Sequence, residues 1–213
     1  MLNGIKRAVF FGAHTDDEIV AAGTLHRLAR SGCEVHVVTF GPAAIQEDRR
    51  GNHASYGVVE KEWRESMNLI GVAQRTLLGY VPSATLHERG QEVADEAFGY
   101  VEHHKPDLCF ILSPEDENPA HAEVGRQCER VMRGRVPHVV RCQFPWNYAT
   151  GRPNLFVKLE EEDLRVKKAV IDAYQSQKFR YRYSDILMNY AIADGLSLKV
   201  EAVEKFELIR AVI

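Results

Sequence analysis

Apolar residues gather into short runs of strand length at Ala8–Gly12, Glu34–Phe40, Arg75–Leu78, Leu108–Leu112 and Val139–Phe144. Each run is nearly continuous in apolar side chains, the pattern of strands covered on both faces. The stretches between them, 18–31, 58–70, 89–104 and 121–134, repeat apolar residues at helical spacing. Strand–helix alternation implies parallel strands joined by right-handed crossovers, hence a three-layer α/β fold with a mainly parallel sheet. Gly32 after Arg30-Ser31, and Gly71 after Asn68-Leu69-Ile70, read as helix stops. The last third is less regular. It predicts an edge strand over 154–160, a helix over 162–177 and a final helix over 198–210.

The longest connections leave the carboxyl ends of predicted strands: residues 41–57 and 113–120. Ligands of open α/β sheets bind at that edge. With 213 residues, no repeat and no linker, the chain reads as one domain spanning 1–213. A net charge of −3 argues against an electrostatic grip on nucleic acid or anionic membranes. No apolar run approaches the ~20 residues of a membrane-spanning helix, and no signal-peptide pattern opens the chain. The four cysteines (Cys33, Cys109, Cys128, Cys142) are scattered without a CxxC pair. They read as reduced, buried residues of a cytoplasmic protein, and a homo-oligomer is compatible with this profile.

The first strand ends in an unusual turn, Gly12-Ala13-His14-Thr15-Asp16-Asp17-Glu18. Thr15 with Glu18 fits a capping box, and an acid in the first helical turn favours the helix dipole. Neither accounts for His14, or for three adjacent carboxylates that repel one another. His14 at the strand end and Asp17 three residues later can converge above the sheet, and imidazole with carboxylate suits Zn²⁺. Asp16, beside them, is placed to act as base towards a water on the ion. A third ligand is required, and His121 offers it, starting a helix after the acidic loop 113–120. His53 in the 41–57 loop is a weak substitute for His121 and, like the six remaining histidines, reads first as a surface or packing residue. Glu115, Asp116 and Glu117 read as a solvated acidic loop, and the other six histidines as surface or packing residues. Arg49, Arg50 and His53 are candidate substrate contacts, and Trp146 and Tyr148 could flank a sugar ring.

Ala13-His14-Thr15-Asp16-Asp17-Glu18 closely resembles the AHPDDE signature of the PIG-L/LmbE-like zinc-dependent N-deacetylases. Further stretches follow that family in order: Glu62 to Ser66 with Leu69-Ile70-Gly71, Asn118 to Gly125, Asn154 to Val157, Ala173 to Gln177 and Glu204 to Glu207. The resemblance implies a Rossmann-like fold and hydrolysis of an N-acyl group, commonly acetyl, from an amino sugar or a related small-molecule conjugate. It also implies His14, Asp17 and His121 as ligands of Zn²⁺, and Asp16 as general base. Asn118 stands where the family's histidine helps stabilise the oxyanion, so it inherits that catalytic position. Thr15 replaces a proline, Ala120 an aspartate that would partner the metal site, and Tyr174 a histidine.

Three alternatives follow from the same residues. The changes at Asn118 and Ala120 are compatible with a metal-binding relative of weak or no turnover. Two histidines and a carboxylate also suit Fe(II). A nucleotide-binding Rossmann-like protein would need a glycine-rich phosphate cradle, where this chain has acids that repel phosphate.

Overall fold

The computed structural model describes residues 2, 4–43, 55–80, 83–144, 152–178 and 183–212. Arg49, Arg50, His53, Trp146 and Tyr148 lie outside the described residues. Seven strands form one sheet: β1 (Arg7–Gly12), β2 (Glu34–Thr39), β3 (Gln74–Leu77), β4 (Leu108–Leu112), β5 (His138–Cys142), β6 (Leu155–Leu159) and β7 (Ala202–Arg210). Among the described residues the α-helices are α1 (Ala22–Arg30), α2 (Tyr56–Ile70), α3 (Gly90–His104), α4 (Pro119–Met132), α5 (Glu161–Ala173) and α6 (Tyr183–Ser197).

The sheet order is β3-β2-β1-β4-β5-β7-β6, with β1 to β5 parallel and β7 antiparallel to both its neighbours. Helices α1, α2 and α5 pack together, as α3 packs on α4, and α6 lies over β7 beside α5. Every residue of β4, and Ala8 to Gly12 of β1, is buried. That burial is why their apolar runs are continuous and not alternating. The three-layer, mainly parallel α/β architecture is therefore the one read from the sequence.

The order matters for function. Chain direction across the sheet reverses between β1 and β4, which pair through Ala8–Leu108, Val9–Cys109 and Phe10–Phe110. Their following segments lead to different helices, α1 and α4, and the carboxyl edge at such a reversal is the usual ligand position in open α/β sheets.

Three expectations need correction. The stretch read as a final helix over 198–210 is the nine-residue strand β7, and the helix of that region is α6, upstream at Tyr183–Ser197. Ala202, Val203, Glu204 and Phe206 of β7 are buried and its other residues half-buried, so both parities carry apolar residues and mimic helical spacing. The helix read as 162–177 ends at Ala173 and resumes as a 3-10 turn, Gln175–Gln177. The helix read from residue 18 begins as a 3-10 turn, Asp17–Val20, and becomes α-helical at Ala22. The four cysteines are free and buried, as expected, and no helix among the described residues is long and apolar enough to cross a membrane.

Candidate metal centre

The turn after β1 is held by backbone and burial, not by a capping box. Thr15 Oγ1 accepts the Ala43 N–H at 3.0 Å, tying the turn to the end of the neighbouring β2 segment. Asp16 precedes the 3-10 turn and makes no side-chain cap bond. Glu18 turns inward, where its Oε1 accepts from Ser66 Oγ and from Tyr174 Oη, each at 2.5 Å. The expected Thr15–Glu18 box is not made, because Glu18 takes two interior donors instead. Burial drives its carboxyl pKa up, the two hydroxyls offset part of that, and the result is about 8. Glu18 is thus a neutral acid at pH 7, which relieves the repulsion among the three adjacent acids.

Gly12 makes the turn tight enough to bring Asp17 back under the strand end. A β-carbon on Gly12 would come within 3.2 Å of Asp17 Cβ and 3.0 Å of the Phe10 ring. The His14 N–H donates to Asp17 Oδ2 at 2.8 Å. Asp17 Oδ1 then lies 3.1 Å from His121 Nε2 and 3.7 Å from His14 Nδ1.

His121 reaches the same point from the end of β4. Asn118 caps α4, its side chain accepting the Ala120 N–H at 3.0 Å, and Pro119 occupies the first turn, where a missing N–H costs nothing. Gly125 lets α4 lie hard against β4, since a β-carbon there would stand 2.9 Å from the Leu112 carbonyl carbon. The consequence is a short contact between the two imidazoles, His14 Nδ1 to His121 Nε2, at 2.9 Å. The Phe144 ring, just beyond β5, stacks on the His121 ring with centroids 5.1 Å apart and planes at 28°.

Sequence reasoning missed one partner. Asp116 is a buried residue, not part of a solvated acidic face, and its Oδ2 lies 3.1 Å from His121 Nδ1. Its Oδ1 accepts the Asn118 N–H at 2.8 Å. The signal available in the sequence was the Asp-x-Asn spacing before Pro119, which favours a side-chain turn onto the N–H two residues on.

Electrostatically the cluster is strongly coupled. Burial alone would raise the Asp17 pKa, but His121 and His14 outweigh it and hold the carboxyl well below the usual range. Burial opposes charge on His121, yet Asp17 and Asp116 lift its pKa to about 10. Two imidazoles and a carboxylate compressed in this way are a donor set for a divalent cation, which would replace the proton that now mediates their attraction.

One ligand atom from each of His14, Asp17 and His121 lies within 4.8 Å of the others, and no other His/Cys/Asp/Glu group among the described residues is so arranged. Two imidazoles, one carboxylate and a second ring nitrogen already held by an acid fit a three-ligand catalytic metal site. Asp16 is 7 % exposed and adjoins this set in the chain, while Asn118 borders it through the α4 cap. Tyr174, standing where the family resemblance has histidine, serves the Glu18 cluster. Ala120 is packed at 2 % exposure beside the ligand it precedes.

Solved structures of the same fold include N,N'-diacetylchitobiose deacetylase from Pyrococcus horikoshii, at TM-score 0.75 and 19 % identity over 98 % of this chain and 85 % of that one. A zinc-inhibited form of teicoplanin deacetylase Orf2 superposes at TM-score 0.76 and 16 % identity, covering 95 % of this chain and 97 % of its own. The 4-carboxy-2-hydroxymuconate hydratase GalB from Pseudomonas putida KT2440 superposes at 0.82 and 15 % identity, covering 98 % of each chain. The fold therefore hosts more than one reaction, and likeness at this identity establishes architecture alone. No curated protein matches the chain in sequence. The family model described as PIG-L, GlcNAc-PI de-N-acetylase, matches residues 9–132, a span running from β1 through the segments that carry His14, Asp17 and His121 to the end of α4, and the chain belongs to that family.

Proposed function

We propose that the protein is a zinc-dependent N-deacetylase that hydrolyses the acetamide of an amino sugar or sugar conjugate. The observation that carries this reading is the convergence of His14, Asp17 and His121 at the sheet's switch point in a PIG-L chain. A divalent ion held by those three side chains would supply Lewis acidity to the amide carbonyl and to the attacking water. The chain's own groups then move the protons. Asp16 takes a proton as water adds to the carbonyl carbon, and returns it to the nitrogen as the C–N bond breaks, leaving acetate and a free amine. Asn118 has its side-chain oxygen committed to the Ala120 N–H, so what it offers an oxyanion is its amide N–H₂.

Acetate release is the direct test. A panel of N-acetylated amino sugars and their conjugates is incubated with zinc-loaded protein and with chelator-stripped protein. Turnover of at least one member, lost on stripping and restored by the ion, is the expected result. Loaded protein that binds the ion and releases acetate from none of the panel would overturn the proposal. A second reading, a metal-binding relative of weak turnover, is favoured by one observation: a neutral amide, already serving as a helix cap, occupies position 118.

A further inference from the structure

We propose that Asp116 is the positioning residue of the metal centre, fixing the tautomer and ring angle of His121. This rests on the metal reading above and deepens it. An imidazole can bind a cation through Nε2 only if the ring's one proton sits on Nδ1, and the acceptor facing Nδ1 decides which form prevails. In this chain that acceptor is Asp116 Oδ2, at 3.1 Å, while His121 Nε2 faces Asp17 Oδ1 at the same distance on the opposite side of the ring. The ring is therefore held at both nitrogens. The stacked Phe144 ring covers one of its faces.

Asp116 is itself immobilised. Its other oxygen accepts the Asn118 N–H, a turn closed two residues on, and Asn118 in turn caps α4. The carboxylate is anchored to the start of the helix that carries His121, so acid and imidazole move as one unit. This arrangement accounts for Ala120. A carboxylate at position 120 is dispensable for holding His121, because the acid four residues earlier already does so.

The test uses full-length protein and Co²⁺, read by its visible absorption and by competition with a chelator of known affinity. Asp116→Asn keeps one carbonyl oxygen, enough for either the Asn118 turn or the ring, but not both. Asp116→Asn should weaken Co²⁺ binding by about 10–100-fold. Glu115→Gln, in the exposed part of the same loop, should leave it unchanged. Nitrogen-15 NMR of the histidine rings adds a signature that a merely structural role would not move: in metal-free protein at alkaline pH, where the ring carries one proton, His121 should be Nδ1-protonated in the wild type and a tautomer mixture in Asp116→Asn. Should Asp116→Asn fold poorly, Asp116→Glu serves, with the ring–acid contact retained and the turn lost; it should recover most of the affinity. Unchanged Co²⁺ affinity and an unchanged His121 tautomer in a folded Asp116→Asn protein would overturn the proposal and leave the deacetylase reading standing. Wild-type protein that takes up no Co²⁺ would overturn the metal reading, and this one with it.

Discussion

Lys167→Met is the most exacting test of how the turn that carries His14 and Asp17 is held. The Lys167 and Glu204 side chains are each 2 % exposed and meet at 2.6 Å. Together they cap a junction that α-helical geometry cannot satisfy by itself. Where the 3-10 turn stops, Lys167 Nζ donates to the carbonyls of Ile19 at 2.8 Å and Val20 at 3.4 Å. Where α1 begins, Glu204 accepts the N–H groups of Gly23 at 3.0 Å and Thr24 at 2.7 Å. Methionine matches the stem of lysine and removes the charge. Removing one partner of a buried pair costs about 3–5 kcal/mol. The two N–H donors left on Glu204 soften that cost, and the carbonyls left without a donor add roughly 1 kcal/mol or more. A net loss near ~4 kcal/mol should lower the melting temperature by about 8–16 °C for a chain of this size. Denaturant unfolding and calorimetry of metal-free protein read this directly. Lys167→Met/Glu204→Gln, which strands no charge, should recover about 1–3 kcal/mol of it. A single variant within about 1 kcal/mol of wild type would refute the idea that this pair holds the junction.

Four further outcomes follow from the same geometry. Asp16→Asn should keep stoichiometric metal, measured by elemental analysis, while acetate release falls by about 10²–10⁴-fold. Asn118→Asp keeps a good helix cap and loses the N–H₂ donor, so the melting temperature should hold while turnover drops by about 10²–10³-fold. Gly125→Ala forces α4 away from the Leu112 carbonyl, costing roughly 1–3 kcal/mol in unfolding experiments and weakening metal uptake as His121 shifts. Tyr174→Phe removes one of two hydroxyl donors to Glu18 and should cost about 1–2 kcal/mol with metal stoichiometry unchanged.

The candidate ligands His14, Asp17 and His121 stand out in the sequence because each belongs to a short local pattern at a strand end, where strand, turn and helix signals sit within a few residues. What makes them a site is not local. The adjacency of β1 and β4 is set by pairing across about a hundred residues, and nothing in either segment alone announces it. Glu18 shows the same limit: its spacing from Thr15 fits a cap, but its partners are 48 and 156 residues away. Burial of charge also misleads at the C-terminal end. Residues 198–210, with charged side chains among the apolar ones, read as a helix; the structure hides Glu204 behind Lys167 inside a strand. Asp116 was lost among Glu115 and Glu117, since three acids in a row look alike until one of them is found buried against an imidazole.

Two kinds of residue in the 116–125 segment are separable on physical grounds. Gly125 and Asp116 act on where His121 is: one lets the helix approach the sheet, the other fixes the ring. Asn118 and Ala120 sit at the same helix start, yet neither side chain bonds to the His121 ring; Asn118 spends its oxygen on the backbone, and Ala120 has nothing to donate or accept. The departures from the family pattern in this segment, at Asn118 and Ala120, thus fall on positions that do not hold the His121 ring, while the ring is held by Asp116. Metal affinity and turnover can therefore change independently in this chain. That independence is why measurements on the metal alone are informative even before a substrate is in hand.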